Sequence, residues 1–153
     1  NGRIDMKRMK ELVNVAKPLK TVLHRAFDDA KHPEENVPEL IEMGVCRILT
    51  SGQRSNALEG AAYIGMLQRA FGESITIMPG CGVNAENIEK IYEITKCSNY
   101  HMSGKVNTSS GMVYRECVDR MGTSDNEFKV ERTDYDLVAK ARAVLDKIKT
   151  DRT

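Results

Sequence analysis

The sequence lacks any long apolar run and any strong excess of charge. No stretch approaches the roughly 18 apolar residues that a membrane span needs, and no signal sequence is visible, so we expect no membrane partner. The net charge is only +1, and the basic residues are scattered over predicted helix faces, which argues against a nucleic-acid partner. The composition, 41% hydrophobic and 29% charged, fits one ordinary globular domain.

Paired cysteines are also lacking. The four cysteines, at positions 46, 81, 97 and 117, show no Cys-x-x-Cys spacing. This usage is typical of a reduced, cytoplasmic protein and not of a fold held by disulfides. The eight methionines form no Met-x-x-Met cluster, and we interpret them as packing residues.

What the sequence does contain is four apolar runs that each end in polar or glycine-rich residues. The first, Thr21-Val-Leu-His-Arg-Ala-Phe-Asp28, brings a His, an Arg and an Asp to its end. The others are Cys46-Arg-Ile-Leu-Thr-Ser-Gly-Gln53, Ile75-Thr-Ile-Met-Pro-Gly-Cys-Gly82 and Ser98-Asn-Tyr-His-Met-Ser-Gly104. Unbroken apolar runs are typical of buried parallel strands. The repeated ending predicts that the four runs share one site.

Every gap between these runs is predicted to hold a helix. Helix caps and stops place the helices at about residues 4–16, 37–43, 57–71 and 85–95, with a last helix that opens at Thr133 or Asp134. Pro18 bars the first helix from continuing, and Gly44 ends the second as a left-handed cap. Ser55 or Asn56 is the expected cap of the third helix, and Asn84 precedes the fourth.

Alternation of strands and helices indicates an α/β protein with a parallel sheet. A doubly wound sheet and a TIM-type (β/α)8 barrel are both possible, but polar residues at all four strand ends favour the barrel. Four strands cannot close a barrel, which usually needs roughly 250 residues. The chain also begins with Asn1-Gly2 and not with Met. We therefore predict that residues 1–153 form a single, incomplete domain, a half barrel that carries about the last four strands and their helices.

Two histidines are the candidate catalytic residues. His24 and His101 lie near the carboxyl ends of their strands, where barrel enzymes place their chemistry, and either can act as a general acid or base. Strand alternation sends His24 and Arg25 to opposite faces, and we expect His24 to point inward with Ala26. A hydrogen-bonded structural histidine is the alternative, as is a structural ion pair between Arg25 and Asp28.

Glycines and hydroxyls at the strand ends indicate a site for a small anionic ligand. Glycine lets the backbone approach a ligand, the start of a helix offers unpaired N–H groups, and barrel enzymes often bind phosphate after their seventh and eighth strands. Ordinary tight turns are the alternative. The candidate ligand-binding residues are Arg25, Asp28, Ser51, Gly52, Gly80, Gly82, Asn84, Ser103 and Gly104.

The polar stretch from Lys105 to Val130 is long for a loop without helices or strands. It is therefore expected to be either a lid over the site or a mobile segment. The predicted terminal strands, at residues 21–26 and 99–102, leave unpaired edges that invite association. We expect a homo-oligomer, or pairing with a missing barrel half.

Four motifs together resemble the CutC family of copper homeostasis proteins. They are His24-Arg-Ala-Phe-Asp28, Arg47-Ile-Leu-Thr-Ser-Gly-Gln53, Met78-Pro-Gly-Cys-Gly-Val-Asn84 and His101-Met-Ser-Gly104, in this order. The resemblance implies a (β/α)8 barrel in which these motifs belong to the fifth to eighth strands. Cys81 stands where the family usually has a glycine, and Cys46 where an acidic residue is common. The family's first four strands have no counterpart here.

Two functions of different classes are consistent with these sequence features. The resemblance implies a cytosolic copper homeostasis protein that binds copper ion, so a copper ion is the candidate cofactor. Thiolate and imidazole suit Cu(I) better than carboxylates do, and His24, Cys81 and His101 form the candidate set of metal ligands. The set has no motif spacing, and a lone cysteine is more often a small apolar filler. The residues themselves also fit a barrel enzyme that acts on a small phosphorylated or carboxylated metabolite at the carboxyl ends of its strands. Whether the protein is an enzyme is left open by the sequence.

Overall fold

The structure, a computed structural model, describes residues 2–113 and 129–150 of the chain. Helices and strands alternate through most of it: α1 Met6–Ala16, β1 Thr21–Leu23, α2 Val37–Met43, β2 Val45–Thr50, α3 Ala61–Phe71, β3 Thr76–Pro79, α4 Ile88–Thr95, β4 Lys105–Ser109, β5 Lys129–Thr133 and α5 Tyr135–Thr150. Short 3-10 helices at Arg25–Phe27 and Pro33–Asn36 connect β1 to α2. The predicted α/β organisation is confirmed.

The central sheet is parallel, with strand order β1-β2-β3. Leu23, Ile48 and Ile77 lie opposite one another across it, and all three are buried in one core cluster with helix residues that include Leu40 and Leu67. Because side chains alternate along a strand, Val22, Arg47 and Thr76 lie on the other face of the sheet. None of those three belongs to the core cluster.

Local signals at two helix ends were predicted correctly. α2 occupies the predicted residues 37–43, and Gly44 follows it with φ of 92°, the left-handed conformation that glycine adopts without steric cost. Asp134 caps α5, since its carboxylate accepts a hydrogen bond from Leu137 N at 3.0 Å.

α1 starts two residues later than predicted, at Met6, and two other helices start three or four residues later. α3 begins at Ala61 and not at residue 57, because residues 57–60 form a turn in which Asn56 Oδ1 accepts from Glu59 N at 3.0 Å. α4 begins at Ile88 and not at residue 85, since Asn84 and Asn87 turn their side chains onto nearby backbone N–H groups. Side chains that bond the backbone locally compete with the first helical turn.

The predicted fourth strand, at residues 98–104, does not have strand conformation. One backbone hydrogen bond, from His101 N to Pro79 O at 2.9 Å, holds the segment beside the end of β3. Every residue of the segment except Gly104 is exposed or half-buried, and many side chains are polar, so little apolar burial favours a regular ladder. Its position next to β3 still matches the predicted order of the strand ends.

The expectation that the polar stretch from Lys105 to Val130 contains no strands is wrong at both of its ends. β4 and β5 form a separate two-stranded antiparallel sheet in which Asn107 lies opposite Glu131. An exposed ion pair between Lys105 and Glu131, at 2.6 Å, joins the strands. The middle of the predicted lid, residues 114–128, lies outside the described residues.

No helix in the described ranges is both long enough and apolar enough to cross a membrane.

Candidate functional site

Asp28 is the centre of a hydrogen-bond network that joins the ends of β1 and β2. Its carboxylate accepts from Ser51 N at 2.8 Å, Gln53 N at 3.2 Å and the Thr50 hydroxyl. Arg25 Nε forms an ion pair with it at 3.0 Å, and the Asp28 side chain is only 4% exposed. The predicted pairing of Arg25 with Asp28 is therefore present.

These contacts shift the ionisation of Asp28. Burial alone would raise its pKa, but hydrogen bonds from Thr50, Ser51 and Gln53, together with Arg25, outweigh burial and lower the pKa below its ordinary value. A carboxylate that is ionised and already accepts this many hydrogen bonds serves mainly to hold the two strand ends together.

Ser51 and Gly52 belong to the same network. The Ser51 hydroxyl accepts from Arg25 Nη2 at 2.8 Å and lies 2.7 Å from the Arg54 carbonyl oxygen. Gly52 N donates to Thr50 Oγ1 at 2.8 Å. A Cβ on Gly52, at φ of 70°, would lie 2.3 Å from the Gly60 carbonyl oxygen. Glycine is thus required by close backbone approach, and the ligand-binding role of Ser51 and Gly52 stays a prediction.

His24 differs from its predicted orientation. β1 ends at Leu23, and His24 caps the following 3-10 helix, where its Nδ1 accepts from Ala26 N at 3.0 Å. Both His24 and Ala26 are exposed, because the backbone leaves strand geometry before alternation can direct them inward. His24 lines a cavity of about 440 Å³ beside α1, together with Met9 and Leu12.

His101 lies in the irregular segment after α4, beside the carboxyl end of β3. A Cβ built on Gly80 would lie 3.2 Å from the His101 Cβ and only 2.4 Å from Leu49 Cδ1. Glycine at position 80 therefore leaves room for both of these side chains. Cys81 has φ of 76°, and its thiol donates to the Ser55 carbonyl oxygen at 3.2 Å. The thiol is thereby turned toward the loop after β2.

The predicted metal ligands are not assembled in the described part of the chain. Within residues 2–113 and 129–150, no group of three or more His, Cys, Asp or Glu side chains is placed to hold a metal ion. His24 and Cys81 instead bond to the backbone of separate loops. The three-ligand set of His24, Cys81 and His101 is therefore not formed by this chain alone.

Four of the predicted ligand-binding residues do come together. Gly82, Asn84, Ser103 and Gly104 line one cavity of about 400 Å³ between the end of β3 and the start of α5. Lys105, Lys140 and Glu86 line it as well. The ammonium groups of Lys105 and Lys140 outnumber the Glu86 carboxylate, so the charge of the lining favours a small anion. Anion binding in this cavity stays a prediction.

A third cavity, of about 590 Å³, lies between the loops that follow β1 and β2. Asp28 and Gly52 reach its wall, and the other polar residues that line it are Asp29, Lys31, Gln53, Arg54, Glu59 and Tyr63. Tyr63 donates its phenolic hydrogen to Glu34. Burial, followed by this bond to Glu34, raises the pKa of Tyr63 well above its ordinary value.

Sequence reasoning gave several residues of these sites a different place or role. It treated Thr50 and Gln53 as part of a polar strand end suited to an anion or a tight turn. In the structure, Thr50, fully buried, and Gln53, whose amide donates to Ala30 O at 2.9 Å, belong to the Asp28 network. Lys140 was assigned to a solvated helix face, yet it lines the 400 Å³ cavity. Arg47 Nε is shielded from solvent and has no hydrogen-bond partner among the described residues. Its position in the middle of an apolar run was the available signal.

A parallel sheet with helices packed on one face, and with polar loops and cavities at the carboxyl ends of its strands, defines an α/β protein whose candidate site lies at that edge. The CutC family model matches residues 1–106, which is more than half of the chain. This chain belongs to the CutC family.

Individual proteins with similar sequences bear the same family name. A CutC family protein of Parabacteroides distasonis is 41% identical over 140 residues, covering 90% of this chain and 58% of the relative. One from Chromobacterium violaceum is 36% identical over 148 residues, covering 96% and 60%. The crystal structure of the Streptococcus agalactiae protein that carries the name copper homeostasis protein CutC superposes with a TM-score of 0.61 at 29% identity, covering 65% of this chain and 50% of that one.

The chain thus spans between half and 60% of the length of these relatives.

Proposed function

We propose that this chain is part of a (β/α)8 barrel, the half that carries about the last four strands, and that the barrel is a cytosolic copper homeostasis protein that binds copper ion. Membership of the CutC family carries the proposal, because the solved Streptococcus agalactiae relative bears the copper homeostasis name. The cytosolic location is supported by free cysteines at positions 46, 81 and 97.

The described residues fit copper only in part. Cys81 and His101 follow β3 in sequence and lie at or near its carboxyl end, and thiolate and imidazole are suitable donors for Cu(I). No three-donor group is formed within the described ranges. We therefore place any complete copper site in the assembled barrel, with donors in addition to those of the described residues.

A competition titration with a chromophoric Cu(I) chelator tests the copper proposal. The chain alone should compete weakly, and the barrel assembled with the complementary part of a relative should bind Cu(I) stoichiometrically. Cys81→Ser should weaken that binding, whereas Cys97→Ser, in a buried position, should not. An assembled barrel that leaves all copper with the chelator would overturn the proposal.

A second candidate is an enzyme that acts on a small phosphorylated or carboxylated metabolite, with His24 or His101 as acid or base. The 400 Å³ cavity supports the anion-binding part of this candidate, since Gly82, Asn84, Ser103 and Gly104 line it with Lys105 and Lys140, whereas neither histidine is among its lining residues. Inorganic phosphate is the probe. Amide NMR signals of residues 82–86 and 103–105 should shift on titration, and Lys140→Met should abolish the shifts.

Lys90→Met is the matched control, because Lys90 is an exposed lysine on α4 outside the cavity. Shifts that are equal in both variants, or that spread evenly over the surface, would indicate nonspecific attraction and reject the anion site.

A further inference from the structure

The 590 Å³ cavity between the loops that follow β1 and β2 is not used by either proposed function. Its volume lies within the roughly 300 to 1,000 Å³ that is typical of small-molecule sites. Several of its lining residues carry little or no side chain, namely Ala30, Gly52, Gly60 and Ala62. A small ligand therefore has room beside the polypeptide backbone.

Hydrogen bonds between separate segments hold the walls of this cavity in place. The Gln53 amide donates to Asp28 O at 3.3 Å and to Ala30 O at 2.9 Å, which joins the loop after β2 to the loop after β1. Tyr63 donates to Glu34, which joins α3 to the second 3-10 helix. Sites for small molecules are usually largely preformed, and this cavity meets that condition.

Two carboxylates of the lining are already occupied by protein donors. Asp28 accepts the hydrogen bonds of the network described above and pairs with an arginine. Glu59 accepts from Ser55 Oγ and from Asn56 Nδ2, both at 2.7 Å. Carboxylates that already accept this many hydrogen bonds have little capacity left for a ligand.

The two cations of the lining, in contrast, are available to a ligand. Among the described residues, the side chains of Lys31 and Arg54 form no hydrogen bond and no ion pair. Glu59 attracts Arg54 electrostatically, but its carboxylate is bound by Ser55 and Asn56. The exposed carboxylate of Asp29 is available as well. Two positive groups and one negative group thus remain for a ligand.

These three groups indicate the chemistry of the ligand. A phosphate monoester carries a charge of about −1.5 to −2 at neutral pH, which two cations match. Arg54 can bind phosphate oxygens through two parallel N–H bonds, and Lys31 can act as a point charge. Asp29 can accept hydrogen bonds from hydroxyl groups of the same ligand.

We propose that this cavity binds a small phosphorylated compound with free hydroxyl groups, the chemical class of the sugar phosphates. Arg54 and Lys31 bind the phosphate, and Asp29 binds the hydroxyl groups. The site is distinct from the 400 Å³ cavity, which shares no lining residue with it. The inference depends on neither the copper function nor the enzyme candidate.

A titration with ribose 5-phosphate, followed by amide NMR, tests the site. Signals of residues 29–31 and 52–54 should shift and saturate, whereas ribose at the same concentration should leave them unchanged. Inorganic phosphate should bind at least about threefold more weakly, because it lacks the sugar hydroxyls that Asp29 binds.

Arg54→Met should weaken the binding of ribose 5-phosphate at least about tenfold, since it removes a charged donor. It keeps the backbone carbonyl that accepts from Ser51, so the loop should stay folded. Arg69→Met is the matched control, because Arg69 is exposed on α3 and does not line the cavity. Asp29→Asn should lower the preference for ribose 5-phosphate over inorganic phosphate. Lys31→Met provides the second test of phosphate binding if Arg54→Met does not fold by circular dichroism.

Three results would overturn the proposal. They are the absence of saturable shifts at residues 29–31 and 52–54, equal affinity of the wild type and both cation variants, and shifts confined to residues 82–86 and 103–105. The last result would assign the anion to the 400 Å³ cavity and leave the enzyme candidate standing. Saturable binding at residues 29–31 and 52–54 that Arg54→Met weakens supports the proposal, whatever the copper titration gives.

Discussion

At the scale of single residues, the most constrained group is the Asp28 carboxylate. It connects Arg25, Thr50, Ser51 and Gln53, so one side chain fixes two loops at the carboxyl edge of the sheet. The sequence indicated the Arg25–Asp28 pair from their spacing. It did not indicate the bonds to residues 50–53, because those depend on the register between β1 and β2.

Asp28→Asn should destabilise the fold by about 2 kcal/mol, since hydrogen bonds to a charged group are worth more than neutral ones. The folded-state pKa of Asp28 lies below its ordinary value of 3.8. Its stabilisation is therefore present above about pH 4 and is lost as the pH falls through the folded pKa. Urea unfolding of the wild type should show this loss, and the variant should show less of it.

The control for this prediction is Asp29→Asn, an exposed neighbour. It should leave both the free energy of unfolding and its pH dependence close to those of the wild type. If Asp28→Asn unfolds at the same urea concentration as the wild type, the Asp28 network does not contribute to the stability of the fold.

Cysteine reactivity should follow burial. Burial raises the pKa of Cys97 to about 11, against a smaller opposing contribution from the Thr95 hydroxyl. Iodoacetamide at about pH 8 should modify Cys46 and Cys81 at least about tenfold faster than Cys97, because the thiolate is the nucleophile. Peptide mapping by mass spectrometry measures the rates. In urea the difference should vanish, and rapid native labelling of Cys97 would contradict the burial described here.

At the scale of elements, the sequence predicted what depends on apolar runs and local caps. β1, β2, β3 and α2 were found this way because burial and the Gly44 cap are encoded locally. β4 and β5 were missed because both are polar and largely exposed, so no alternating pattern marks them. The starts of α3 and α4 were misplaced because Asn56 and Asn87 close turns that precede the helices.

The contact between the end of β2 and the start of α3 depends on two glycines. Gly52→Ala should cost at least about 3 kcal/mol, because a methyl group would meet the Gly60 backbone in addition to the strain of a positive φ. Gly44→Ala is the matched comparison: it also has a positive φ but no atom within 4 Å of its Cβ. It should cost only about 1 kcal/mol.

Thermal and urea unfolding of both glycine variants provide the measurement. Equal losses of stability would show that the backbone conformation alone matters and that the close approach of Gly52 to Gly60 is relieved by a small shift.

At the scale of the whole molecule, the candidate site is divided. The sequence predicted one shared pocket, whereas the structure places Asp28 and Gly52 beside one cavity and Gly82, Asn84, Ser103 and Gly104 beside another. Chain order along the sheet was predictable from the strand ends. The division was not, because it depends on the loops after β1 and β2 bonding to each other. Both cavities nevertheless lie at loops that follow strands.

The last prediction concerns the surface that remains apolar. Val15→Gln should change the stability of the isolated chain by no more than about 0.5 kcal/mol, because Val15 is largely exposed there. If the (β/α)8 barrel proposed above is assembled from this chain and the complementary part of a relative, the same variant should weaken that assembly and lower its melting temperature, since binding stabilises the folded state by mass action. Ile94→Gln on α4, another exposed apolar position, should affect neither. A Val15 variant that assembles with wild-type affinity would mean that this face of α1 stays exposed in the assembled barrel.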